Sequence, residues 1–143
     1  MNGSRRDWLT QLPVLAAIAS ARAGAQPPAS LRSKAYPFED LTASSHGGNA
    51  TRPVLEGETH SGAFIELHET DLGPGGMPHP PHHHVHEEMF LVREGALEVT
   101  ISAVTSRLGP GGVAFVASNQ EHGVRNPGPG HAQYFVLAVG KDQ

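Results

Sequence analysis

Apolar residues in this chain recur at every second position in short runs, with turn residues between them. Leu97, Val99 and Ile101 alternate with Glu98, Thr100 and Ser102, the period of a strand with one face buried. Ala63, Ile65 and Leu67 alternate in the same way with Phe64, Glu66 and His68, which predicts a strand within Thr59–Leu72. Two runs, Met89 to Val92 and Tyr134 to Val139, are apolar on both faces, and Val113 to Val116 is a shorter apolar strand. His122 to Asn126 is polar around Val124. Gly73-Pro74-Gly75-Gly76, Gly95, Leu108 to Gly112 and Asn126 to Gly130 supply the turns. Tyr36 to Leu41 is a candidate edge strand interrupted by Pro37, and Ser44 to Ala50 has the composition of a loop. At least six short strands, with no long helical pattern after Ala25, predict an all-β sandwich or barrel.

Length and composition fit that picture. The 143 residues allow one domain, and 17 Gly with 12 Pro suit short strands and turns better than helices. Cysteine is absent, so disulfides, thiolate metal sites and thiol nucleophiles are excluded.

The amino terminus has a different character. Arg5-Arg6 precede an uncharged stretch from Trp8 to Ala21, followed by Ala23-Gly24-Ala25. A positive start, a short apolar centre and a small-residue cleavage site have the layout of a signal peptide. Ser4 to Leu9 resembles the bacterial twin-arginine signal, departing from it at Trp8 and Thr10. An N-terminal amphipathic helix is the alternative. On the signal reading, residues 1–25 are removed, 26–52 form a flexible arm with an edge strand, 53–143 form the barrel, and the product is periplasmic. Removal takes three arginines and one aspartate from 10 basic and 14 acidic residues, leaving 7 and 13, a formal charge of −6. That balance argues against nucleic acid as a partner, and no basic amphipathic helix remains to hold the mature chain on a membrane.

The chemistry concentrates in Gly76 to Gly95. Five of the ten histidines (His79, His82, His83, His84 and His86) fall within eight residues, followed at once by Glu87 and Glu88. Imidazole with carboxylate is the ligand set of borderline divalent metals. A His-rich tract without a fold, or a helix begun at Pro80-Pro81 with His82 and His86 one turn apart, would also bind metal. There is no HExxH, and Phe90-Leu91-Val92 running to Gly95 favours a strand.

Read with its gaps, the stretch is Gly76, five residues, His82, one residue, His84, three residues, Glu88, six residues, Gly95. This resembles the first signature motif of the cupin superfamily at every fixed position. The second motif is matched at Gly111, His122 and Asn126, with Ala117 and Asn119 standing where Pro and Gly are usual. Asn tolerates a left-handed turn, so Asn119 is a workable substitute. The resemblance implies a double-stranded β-helix, or jelly-roll, barrel with a metal in its mouth. It also implies His82, His84, Glu88 and His122 as ligands. The spacing is compatible: on a strand, His82 and His84 project to one face about 6.6 Å apart. Glu88 would lie about 13 Å beyond His84 on a straight strand, so sharing one ion requires a bend between Val85 and Glu87.

Phe90 and Val92 are in phase with Glu88 and are expected to line the pocket. Val124, Tyr134, His86 and Glu66 are further candidates around it, whereas His79 and His83 are expected to face solvent. Met89 and Leu91 on the opposite face predict a homodimer that covers them. The ligand set that the resemblance implies, three imidazoles and a carboxylate, is expected to hold one divalent transition metal per chain. Folding before export favours Mn or Fe, while Ni, Co, Zn and Cu also suit the donors. The expected function is a metal-dependent oxygenase-like or lyase-like enzyme acting on a small oxygenated molecule. The alternative is a non-catalytic module that binds a small molecule or sugar.

Overall fold

The computed structural model describes residues 30–141, so the signal segment expected at 1–25 lies outside the described residues. Among the described residues there are nine strands and no α-helix. They are β1 (Ser44–His46), β2 (Asn49–Glu58), β3 (Phe64–Leu72), β4 (Glu87–Glu94), β5 (Leu97–Ile101), β6 (Val104–Leu108), β7 (Val113–Val116), β8 (His122–Arg125) and β9 (Ala132–Val139). One sheet has the order β1-β2-β3-β9-β4-β7 and the other β6-β5-β8. Every pairing is antiparallel. This is the expected all-β jelly roll.

The inner space is filled by the alternating residues that the period-two pattern marks. In β9, Ala132, Tyr134, Val136 and Ala138 are buried while the intervening residues are only half-buried. In β4, Phe90 and Val92 face inward, and Met89 and Leu91 are exposed. Register brings Phe90 beside Val136 and Val92 beside Tyr134. Leu72, Leu97, Val99, Val116 and Val124 close the same cluster from the remaining strands. Each such side chain contributes roughly 1.5–3 kcal/mol through burial.

Four local expectations change. The edge strand expected at Tyr36–Leu41 is a single 3-10 turn, Phe38–Asp40, because Pro37 fixes φ near −59° and its carbonyl accepts the Asp40 N–H. The Ser44–Ala50 loop is a hairpin, β1 to β2, turned by Gly47 and Gly48 at φ 57° and 88°. The sheet therefore begins ahead of residue 53. Strand β2 runs through Pro53, which stands next to a register irregularity where a missing N–H is tolerated. Strand β6, nearly all exposed, carries too little apolar alternation to show in the sequence.

Two polar ties hold the barrel's ends. The Asn126 side-chain amide reaches the carbonyls of Leu72, Gly73 and Gly130, and its Oδ1 accepts the Gly128 N–H. On the outer face, Arg52 donates to the fully buried Glu69 at 2.6 Å, and the Arg52 and Arg93 guanidiniums both approach the Phe38 ring. The arm is held further in by Leu31, whose N–H donates to the Glu58 carbonyl.

Gly95 has φ 75°, and a Cβ there would meet the His131 carbonyl oxygen and the Ala132 backbone. Gly95→Ala should therefore cost more than about 1 kcal/mol, read as a lower urea midpoint with an unchanged slope.

Candidate metal centre

Residues 73–86 form an irregular segment that is held to the barrel by its backbone. His82 and His122 exchange a reciprocal pair of N–H to carbonyl bonds, 2.9 and 2.8 Å. The chain bends at Val85 and His86 before entering β4, so His84 and Glu88 come into contact instead of lying a strand's length apart. Asn119, at φ 61°, takes the left-handed conformation and donates its N–H to the His84 carbonyl. The turn before β8 thus holds the segment bearing His84.

Those backbone ties bring the imidazoles of His82, His84 and His122 together, with one ligand atom from each lying within 4.8 Å of the others. A second trio, His84, His86 and Glu88, meets the same criterion and shares His84 with the first. The His122 ring is almost fully buried and that of His84 nearly so.

Hydrogen bonding sets the direction of each ring. His84 Nδ1 donates to the His86 carbonyl at 2.8 Å, and His122 Nδ1 donates to the Gln120 carbonyl at 2.9 Å. In the neutral rings both Nε2 atoms are then lone-pair acceptors. They face the Glu88 carboxylate, His122 Nε2 at 3.1 Å from Oε2 and His84 Nε2 at 3.4 Å from Oε1. The His84 contact satisfies an ion-pair distance but is no hydrogen bond, and Nε2 of His84 and Nδ1 of His82 are buried without a hydrogen-bond partner. Lone pairs facing a carboxylate repel unless a cation lies between them, either a proton or a metal ion. The donor set fits a divalent transition metal. Burial, followed by the charges that His79, His122 and His84 would carry, lowers the His82 pKa, with Glu88 opposing; a neutral ring is the state a metal needs.

A cavity of about 310 Å³ opens beside this cluster. Its polar wall includes His68, Thr70, His79, Glu88 and His122, and its apolar wall Phe90, Val124, Tyr134 and Val136. Val92 points inward but lies in the core, 2% exposed, rather than on the cavity wall. Tyr134 is 1% exposed and bonded to the Thr70 side chain, and burial raises its pKa well above the ordinary value. Glu66 stands off the wall and bonds to His68 at 3.1 Å. His86 stacks on His84, ring centroids 3.5 Å apart, with Nε2 3.3 Å from Glu88 Oε1. A larger cleft of about 440 Å³ lies beneath the arm around Lys34, Tyr36 and Asp40, but no histidine lines it.

Two residues gain places that the sequence withheld. His79 is exposed, yet its ring meets His82 edge-on at 4.1 Å and lines the cavity. His68 also lines it, although its spacing from the motif carries no ligand signal. The inward phase of β3, shared with Thr70 and Leu72, is the sequence feature that points to it.

Comparison with known proteins places the chain in a family. The Cupin domain family matches residues 68–139. No curated protein sequence matches the chain. Among solved structures, an RmlC-like cupin from Shewanella frigidimarina superposes with TM-score 0.63 at 21% identity, over 76% of this chain and 93% of that one. The polyketide cyclase RemF from Streptomyces resistomycificus gives 0.65 at 20% identity, over 78% and 82%. KdgF from Halomonas sp. gives 0.65 at 18% identity, over 78% and 97%. Likeness at these identities speaks for the fold alone, but the family match spans half of the chain. The two sheets, the paired motif segments and that match agree: the chain belongs to the Cupin domain family.

Proposed function

We propose that this cupin is a metal-dependent enzyme of oxygenase-like or lyase-like type, acting on a small oxygenated organic molecule. One observation carries the reading: the Nε2 atoms of His84 and His122 both face the Glu88 carboxylate, with their Nδ1 protons committed to backbone carbonyls. His82, His84 and His122 with Glu88 would hold one divalent metal. Mn and Fe are preferred, and Ni, Co, Zn and Cu are compatible with the donors. Such an ion supplies Lewis acidity and an exchangeable position for an oxygen donor. The chain's own residues do the rest: the backbone bonds fix the tautomers, Phe90, Val124 and Val136 exclude water, and the cavity beside them receives the substrate.

The second reading is a binding module without turnover, favoured by the apolar character of the cavity wall away from the histidines. Oxygen uptake by Fe(II)- or Mn(II)-loaded protein against catechols, flavonols and oxalate separates the two. Turnover of one class is the expected result. Tight binding of one ligand with no turnover of any would leave the module.

His84→Ala and Glu88→Ala should each abolish stoichiometric metal in protein purified from the cytoplasm, measured by elemental analysis. Full metal retention in both variants would sink the ligand assignment. Loss of metal should also lower the melting temperature, since an ion bound only by the folded state stabilises it.

The chain is further proposed to pair with a second copy through the outer face of the larger sheet. Leu67, Met89, Leu91, Val113, Phe135 and Leu137 form an apolar concavity of about 430 Å³ there, with Leu91 44% exposed. Light scattering at micromolar concentration should give twice the chain mass, and Leu91→Asp should halve it. A wild-type chain that scatters as a monomer removes the idea.

A further inference from the structure

Opposite the histidine cluster the cavity carries a second polar end. His68 and Glu66 lie on the inward face of β3, and register sets them in two rows that cross the sheet. Glu66, Ala138 and Glu88 stand side by side on β3, β9 and β4, as do His68, Val136 and Phe90. Neighbouring strands are about 4.8 Å apart, so His68 stands about 10 Å from the β4 backbone that carries Glu88 and Phe90.

The His68 ring is oriented. Its Nδ1 is 3.1 Å from Glu66 Oε1, and a carboxylate only accepts, so Nδ1–H donates. Among the described residues, the other ring nitrogen, Nε2, makes no hydrogen bond. His68 is one-quarter exposed and lines the same cavity as Glu88 and His122. An imidazole held by a carboxylate at one nitrogen and open at the other is the arrangement by which proteins present a single directed hydrogen-bonding atom.

We propose that His68, positioned by Glu66, binds a hydroxyl group at the end of the substrate remote from the metal. This rests on the proposed metal-dependent reading and names its substrate class: a molecule with an oxygen chelating head and a hydroxyl about one phenyl ring away. A hydroxyl suits the ring in either protonation state, because it both donates and accepts. A carboxylate there is disfavoured by the Glu66 carboxylate that already holds His68 Nδ1. Phe90, Val124 and Val136 supply the apolar surface for the ring between the two ends.

Phenylpyruvate and 4-hydroxyphenylpyruvate test this, because they share the chelating keto-acid head and differ only in the remote hydroxyl. Calorimetric titration of zinc-loaded full chain should show the hydroxylated probe binding about tenfold tighter. His68→Phe keeps an aromatic ring and removes the acceptor, so it should equalise the two probes while elemental analysis shows unchanged zinc. His68→Gln restores an acceptor and should recover part of the difference. Glu66→Ala frees the ring and should weaken the preference without loss of zinc. Equal affinities in the zinc-loaded wild type, no binding of either probe, or a preference that survives in His68→Phe would overturn the proposal. A wild-type chain that holds no zinc would instead strike the metal reading beneath it, which the same elemental analysis reports separately.

Discussion

The reciprocal backbone pair between His82 and His122 is the constraint on which the site depends. It joins an irregular segment, which has no ladder of its own, to a strand of the smaller sheet. Because both N–H groups and both carbonyls are used, the segment cannot slide by one residue without losing the pair. The rings of these residues are consequently fixed 4.7 Å apart. His84 follows two residues on, and its carbonyl is captured by Asn119 from the turn that precedes His122. The same few hydrogen bonds thus orient side chains from both parts of the sequence that carry the chemistry.

Around that constraint the barrel assigns opposite duties to alternate residues of single strands. On β4, Glu88 and Phe90 serve the cavity while Met89 and Leu91 form the outer apolar face. On β9, Val136 faces the cavity and Phe135 and Leu137 face outward. A strand buried on one side and apolar on the other reads in sequence as an unbroken hydrophobic run, which is how both strands first present themselves. The one-residue offset separates the cavity from the outer apolar face within the width of one sheet.

Much of this was legible in the sequence. Period-two alternation identified β5 and β3, the glycine-rich turns separated the strands, and motif spacing singled out His82, His84, Glu88 and His122. What escaped has physical reasons. Pro53 and Gly57 disguise β2, because both are poor strand formers that the sheet accepts at an irregularity and at a glycine with positive φ, 152°. Val104 to Leu108 is exposed and mostly polar, so pairing with β5 rather than burial defines it. The alternation of β3 puts His68 on the face of Thr70 and Leu72, but its place opposite Phe90 comes from lateral register through Val136, which no local pattern encodes. His79 was expected to face solvent, and it does so while also touching His82, a contact made by the return of the irregular segment.

The Asn126 tie has a further meaning in time. Its amide joins a turn near the end of the chain to carbonyls 53 and 54 residues earlier, and the His82–His122 pair closes a loop of similar scale. Closing such loops costs entropy before any contact repays it, and topologies built from non-local pairings fold slowly. His122 therefore joins His82 and His84 only at the cost of closing that loop. A metal ion arriving earlier would meet the local histidines of residues 79–86 without His122. In this protein the ion can act as a latch on a finished structure, and the template for folding must lie in the strands themselves.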